Sequence, residues 1–292
     1  LRSFISEARL RTLVQEAKLE DVGPQGRDVS SEILVPADLQ ATAVFRSRGS
    51  GRLSGAALLP HVIAAYDPAV SCTPALADGA ALQRGSVIAT IRGPLRSVLA
   101  IERVALNFMT RLSGIASLTQ RYVHAIAGTR AHIYDTRKTT PGLRELEKYA
   151  VVCGGGASHR MGLHDAVLIK DNHIAHLPLE QLQAALTQAV QRAQAITPRP
   201  KFVQIEVDTL EQLQRVLMTG CDMVLLDNMS LEQLRQAVSL RNRVAPGVQL
   251  EASGGVNLET VGAIAATGVD RVSVGALTHS APALDIGLDI DA

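Results

Sequence analysis

Six cationic side chains fall within one stretch of 39 residues, Asp135 to His173, which reads DTRKTTPGLRELEKYAVVCGGGASHRMGLHDAVLIKDNH. They are Arg137, Lys138, Arg144, Lys148, Arg160 and Lys170. Arg137 and Lys138 directly follow a strand-like run, Ala131 to Tyr134, and Lys170 closes a second, Ala166 to Ile169. Between the runs lie a short helical pattern (Leu143 to Val152), the triplet Gly154-Gly155-Gly156, and His159-Arg160. Arginine grips carboxylates and phosphates in bidentate fashion, and lysine acts as a point charge. Arg137, Lys138, His159, Arg160 and Lys170 gathered in one pocket would repel one another by several kcal/mol, an order-of-magnitude Coulomb figure. Such a cluster expects a multiply charged anion. Arg144, Glu145, Glu147 and Lys148 share a helix instead and read as surface charges bridging one another.

Acidic and glycine-rich segments complete the set. Glu206 and Asp227 each end a strand-like run, and two carboxylates side by side need a cation or hydroxyl groups between them. A ribose diol with Mg²⁺ fills that role, since Mg²⁺ favours a few carboxylates plus phosphate oxygens and water. Asp208 is placed to point away or to cap the next helix. Ser253-Gly254-Gly255 and Ser273-Val274-Gly275 follow the last two strand-like runs, where α/β barrels commonly seat phosphate on backbone N–H groups at a helix start. His159 and His164 form no zinc pattern, and no serine or cysteine has a base at motif spacing.

These groups need elements to hold them. Strand-like runs at 131–135, 166–170, 202–207, 223–227, 248–252 and 271–274 alternate with helical patterns, of which Leu179–Ala195, Leu210–Thr219, Leu231–Arg241 and Leu258–Thr267 are the clearest. Apolar strands between amphipathic helices predict a parallel sheet with helices outside. Six such units predict an incomplete α/β barrel, with a doubly wound sheet as the alternative, and every strand end falls on one rim. Upstream, a helix from Phe4 stops near Gly23-Pro24, a strand covers 41–46, a helix covers 56–66, and short β-like runs fill 70–91. This part predicts a compact N-terminal α+β domain over 1–113, with the barrel over 114–276 and the boundary inside a helical region near Ser113.

Composition narrows the class. The 292 residues carry 29 Lys plus Arg against 28 Asp plus Glu, so no global field draws the chain to nucleic acid or an anionic membrane. Four Phe, four Tyr and no Trp leave few stacking platforms for single-stranded nucleic acid. No apolar run reaches membrane-spanning length. Three scattered cysteines, Cys72, Cys153 and Cys221, fit a reducing compartment, and the expectation is a soluble cytoplasmic protein.

The nested motifs TRKTTPGLR, KYAV..GGG..HR.GL.DA.LIKDNHI, a later E.D, LLDN, ASGG and SVGAL resemble the quinolinate phosphoribosyltransferase (decarboxylating) family, from about Glu20 to about Leu284. That resemblance implies an α/β sandwich domain, rejoined by the tail 277–292, and an incomplete barrel. It implies conversion of quinolinate and phosphoribosyl pyrophosphate to nicotinate mononucleotide, pyrophosphate and CO₂ in NAD biosynthesis, with Mg²⁺ and no organic cofactor. It also implies a homodimer whose sites are shared. Carried over by residue, Arg137, His159 and Arg160 hold the two quinolinate carboxylates, with Thr136 beside them, and Arg103 reaches in from the partner. Lys138 and Lys170 meet carboxylate or phosphate. Glu206 and Asp227 take ribose hydroxyls and metal, while Ser253, Gly254, Gly255, Ser273, Val274 and Gly275 seat the 5′-phosphate. Ser158 and Asp208 stand where relatives often carry Asn and Glu. Alternatives are a related pyridine-carboxylate phosphoribosyltransferase, a Schiff-base lyase using Lys170, and a non-catalytic nucleotide sensor.

Overall fold

The structure, a computed structural model, describes residues 1–291. In chain order its first elements are α1 (Glu7–Val22), α2 (Val29–Leu34), β1 (Gln40–Ser47), β2 (Gly51–Arg52), α3 (Leu59–Tyr66), β3 (Ser71–Pro74), β4 (Ala81–Leu82), β5 (Val87–Pro94) and α4 (Leu95–Ala125). There follow β6 (His132–Tyr134), α5 (Arg144–Cys153), β7 (Val167–Ile169), α6 (Asp171–Ile174), α7 (Leu179–Gln194), β8 (Val203–Val207), α8 (Leu210–Val216) and β9 (Met223–Asp227). The chain closes with α9 (Leu231–Val244), β10 (Gln249–Ser253), α10 (Val261–Ala265), β11 (Arg271–Ser273), α11 (Ala276–His279) and β12 (Ile286–Asp291).

Two compact units emerge. Among the described residues the first comprises 1–120, 140–155 and 280–291, and the second 121–139 and 156–279. The first holds an antiparallel sheet in the order β12-β1-β5-β3. Along β1 the residues alternate between buried and partly exposed, with Ala43 and Phe45 fully buried, as expected for a strand with one face on a core. The tail rejoins this sheet: β12 pairs antiparallel with β1 from Ser47↔Ile286 to Thr42↔Asp291.

Division by packing differs from the chain-order boundary at Ser113. The reason is physical: α4 runs unbroken through 113, and α5 groups with the first unit. The α5 charges also differ from expectation. Glu147 and Lys148 are fully buried, and Glu147 pairs with Arg111 of α4 at 2.8 Å rather than with its helix neighbours. The same carboxylate accepts from the Thr140 N–H (3.0 Å) and the Thr140 hydroxyl (2.8 Å), pinning the start of the loop that leads into α5.

The second unit is a six-stranded parallel sheet in the order β6-β11-β10-β9-β8-β7. Among the described residues no ladder joins β6 to β7, so the barrel is open there. Every residue of β8 is buried, the mark of a parallel strand covered on both faces. All six barrel strands lie where hydrophobic runs placed them.

Candidate active site

Strand alternation aims every second residue of the barrel strands at the same interior. Leu168 with Lys170, Leu225 with Asp227, and Glu251 with Ser253 therefore share it with Glu206 and Ser273. All eight line one cavity of about 670 Å³, together with Asp135, Thr136, Arg137, Lys138, His159, Arg160, Asn228, Gly254 and Gly255. Register sets their depth. Glu206 pairs level with Leu225, and Glu251 sits opposite Leu225 as well, whereas Asp227 is level with Ser253, one side-chain layer nearer the rim.

The cations converge. Arg160 is nearly buried, and both that burial and the charge of Arg137 push its guanidinium below the ordinary arginine value, with Asp165 and Glu206 acting against them. Repulsion between the two arginines marks a place prepared for an anion. Lys170 donates to Glu206 at 3.0 Å, so one of the strand-end carboxylates already holds a cation. The Lys138 N–H donates to Thr136 Oγ1 at 3.1 Å, and Thr278 Oγ1 donates to the Lys138 carbonyl at 2.7 Å. These bonds fix the turn that carries Arg137 and Lys138. Arg160 is followed by a turn closed by Asp165, which accepts from the N–H groups of Met161 and Gly162 at 2.9 Å each. Burial alone would raise the Asp165 carboxyl, but those N–H groups and Lys201 draw it down to about 2.

Beneath the rim the interior is ionic rather than aliphatic. Glu251, 1% exposed, lies 3.0 Å from Arg271 Nε and 3.4 Å from His159 Nε2. Burial opposes ionisation of Glu251, but His159 and Arg271 outweigh it and hold its carboxyl below the ordinary value. Arg271 lies flat over the Tyr134 ring, 3.6 Å from its centroid. His159 is consumed by protein partners: its Nδ1 accepts from the Arg160 N–H at 2.8 Å, and Nε2 faces Gln204 Oε1 at 3.0 Å. An accepting Nδ1 assigns the proton to Nε2. Its backbone N–H donates to Asp135 Oδ1 at 2.8 Å. Both ring nitrogens of His159 are thus held by protein groups beside Arg160, and the residue lines the cavity.

Gly275 directly precedes α11, whereas the Gly254-Gly255 turn differs from a helix-start phosphate site. Gly254 and Gly255 have φ of +91° and +60°, but α10 begins only at Val261. N–H groups presented there come from a left-handed turn, not from a helix end. Val274 is buried in the core, and Gly275 packs against the Lys138 stem and His279. A larger cavity, of about 900 Å³, lies in the first unit, walled mostly by Ala, Leu, Ile and Pro. Its carboxylate, Asp78, is already occupied by the Ala56 N–H and the Tyr149 hydroxyl, and burial raises its thiol, Cys72. That cavity lacks the charged groups chemistry would need.

Comparison with known proteins now bears on the rim. The family models described as quinolinate phosphoribosyl transferase, N-terminal and C-terminal domains, match residues 28–113 and 115–289. A nicotinate-nucleotide pyrophosphorylase (carboxylating) of Mycobacterium leprae is 41% identical over 283 residues, covering 96% of each chain. A probable enzyme of the same description from Bacillus subtilis is 37% identical, covering 98% of this chain and 95% of the relative. The solved structure of the Francisella tularensis nicotinate-nucleotide pyrophosphorylase superposes with a TM-score of 0.89 at 35% identity, covering 98% of both chains. The chain belongs to the quinolinate phosphoribosyltransferase family.

For this phosphoribosyltransferase, the structure gathers Thr136, Arg137, Lys138, His159, Arg160, Lys170, Glu206, Asp227, Ser253, Gly254, Gly255 and Ser273 around one cavity. Arg103 sits on α4 in the first unit, exposed, with Glu102 its neighbour at 3.9 Å. Asp208 is exposed and its N–H donates to Gln212, so it serves the start of α8 rather than the cavity. Ser158 Oγ donates to the His159 carbonyl at 3.1 Å. Glu251 also lines the cavity, though the strand-end pattern does not single it out; its alternation with Ser253 was the signal.

Proposed function

We propose that this chain transfers phosphoribosyl from phosphoribosyl pyrophosphate to quinolinate, giving nicotinate mononucleotide, pyrophosphate and CO₂ in NAD biosynthesis. The observation that carries the reading is the convergence of Arg137, Lys138, Arg160 and Lys170 on one cavity, with the charge of Arg137 set against that of Arg160. Quinolinate brings two adjacent carboxylates and its partner several phosphate charges, which together answer that crowding. Arg137 and Arg160 suit the carboxylates, and Lys138 and Lys170 the phosphates or the remaining carboxylate oxygen. Glu206 and Asp227 suit the ribose hydroxyls, with the 254–255 turn beside them for the 5′-phosphate.

The pyridine nitrogen attacks the ribose C1 as its bond to pyrophosphate breaks, and cations placed in advance neutralise the leaving group. The 2-carboxylate then departs as CO₂, leaving its electron pair on C2 beside the quaternised ring nitrogen, whose positive charge stabilises it, and a proton taken from solvent at C2 completes the product, so the reading calls for no organic cofactor. Mg²⁺ fits the donor set as an ion arriving with the phosphates. Glu206 and Asp227 each have one oxygen already engaged, and no group of three or more metal-ligating side chains occurs among the described residues. When bound, the ion would add positive charge at the pyrophosphate. The Lys170–Glu206 contact favours charge pairing over Schiff-base chemistry at Lys170.

The same reading places the protein in the cytoplasm, supported by its three free cysteines, as a dimer completed by Arg103 of the partner chain. No helix among the described residues is long and apolar enough to cross a membrane. Substrate selectivity tests the assignment. A site built for two carboxylates should use nicotinate with kcat/KM lower by about 100-fold or more, the equivalent of one lost charge-assisted pair. Equal turnover of monocarboxylates would favour a related transferase instead.

A further inference from the structure

We propose that Asn228 is a positioning residue, whose amide and left-handed backbone lock the Asp227 carboxylate to the Gly254 turn, so that ribose hydroxyls and phosphate are gripped by one preassembled unit. The inference rests on the phosphoribosyl-transfer reading above.

Four observations converge on it. Asn228 has φ of +53°, and among the described residues it is the one non-glycine with positive φ; glycine occupies every other such position. A left-handed backbone is disfavoured for any residue that carries a Cβ. Asparagine tolerates it best, but glycine would avoid the cost altogether. The side chain must therefore have its own use, and its contacts show what that is. Asn228 Nδ2 donates to Asp227 Oδ2 at 2.7 Å, within the range of a charge-assisted bond. The backbone N–H of Asn228 donates to the Ser253 carbonyl at 2.9 Å, tying the end of β9 to the end of β10. Asn228 Oδ1 lies so close over Gly254 that a methyl group added there would overlap it, and Gly254 itself has φ of +91°.

Gly254 must thus lack a side chain for two reasons, and one of them is Asn228. The residue is solvent-exposed and on the rim, where a strained backbone adds nothing to a hydrophobic core. The amide occupies Asp227 Oδ2 and leaves Oδ1 to accept from a ribose hydroxyl. Without it the carboxylate can rotate, and the Gly254 turn loses its backstop. The substrate affected is the ribose-phosphate donor, not the pyridine acid, because Asp227 and the Gly254 turn both belong to the donor's half of the cavity.

Asn228→Gly separates the two roles, since it keeps the left-handed backbone and removes the amide. Steady-state kinetics with quinolinate, phosphoribosyl pyrophosphate and Mg²⁺, beside urea unfolding, reads both. The expected result is an unchanged or higher unfolding midpoint, KM for phosphoribosyl pyrophosphate raised about tenfold, and KM for quinolinate within about twofold of wild type. Asn228→Asp, which sets a second carboxylate against Asp227, should raise the same KM at least as far. An Asn228→Gly enzyme with wild-type KM for the donor overturns the proposal, as do equal rises for both substrates or a lowered midpoint that accounts for the loss. Calorimetric titration of phosphoribosyl pyrophosphate into wild type and variant keeps the test open should turnover be too slow to measure. Wild type that neither binds nor turns over the donor removes the phosphoribosyl reading as well; wild type that does both, beside an unaltered variant, removes only the role of Asn228.

Discussion

Glu251 shows how much of the rim depends on residues a substrate need not touch. Its carboxylate is buried against Arg271, and removing the charge leaves that guanidinium without its ionic partner. Glu251→Gln should therefore lower the free energy of unfolding by about 3 kcal/mol, the scale of a broken buried pair. Urea titration of both proteins measures it, and a difference under ~1 kcal/mol would show that the pair is not held as described. Asp165 gives a pH test with a definite sign. Its carboxyl lies at about 2 in the fold, below its ordinary value of 3.8, so ionised Asp165 stabilises the native state at pH above that ordinary value. That stabilisation is lost as pH falls through the window from about 4 to about 2. Asp165→Asn should be less stable than wild type at pH 7 by about 2 kcal/mol, with the gap closing across that window. A gap independent of pH would contradict the assignment. At this scale the sequence revealed residues at strand ends, where a charge interrupts an apolar run. It hid Glu251 and Arg271, which sit inside strands, and it misread Glu147 and Lys148, whose burial depends on how α5 packs.

Long periodic elements were legible because their hydrophobic spacing persists over several turns. The six barrel strands and α7, α8 and α9 fall where that spacing put them, whereas α2, α6 and α11, of four to six residues, are too short to show a period. The expected helix from Leu258 shortens to Val261–Ala265, which moves the glycine turn away from any helix end. The two glycines of that turn make a discriminating pair. Gly254→Ala meets both the Asn228 amide and a left-handed φ, while at Gly255 nothing lies within 4 Å of an added methyl and only the backbone preference opposes it. Gly255→Ala should cost about 1 kcal/mol through backbone strain alone; Gly254→Ala should in addition displace Asn228 and raise KM for the phosphoribosyl donor tenfold or more above that of Gly255→Ala. Thermal unfolding with kinetics on both variants decides, and equal behaviour of the two would contradict the packing at Gly254.

For the whole molecule, the tail returning to β1 and the unbroken passage of α4 are topological facts that no local pattern could reveal. Arg103 raises the question of assembly, since it lies on α4 within the first unit. If it serves the site of a second copy, Arg103→Ala and Lys138→Ala are each inactive alone but complement each other. Random reassortment into dimers then restores at most about a quarter of the wild-type sites. No recovery in mixed dimers verified by mass would contradict a shared site. The central claim is that the cationic rim exists to bring a dicarboxylate and a polyphosphorylated ribose together, and that carbon dioxide leaves once they join. Quinolinate labelled with ¹⁴C in its 2-carboxylate, incubated with phosphoribosyl pyrophosphate and Mg²⁺, tests it most directly. Labelled CO₂ and pyrophosphate released in equal amounts, and only with both substrates present, is the predicted result; label retained in the product, or released without the phosphoribosyl donor, would contradict it.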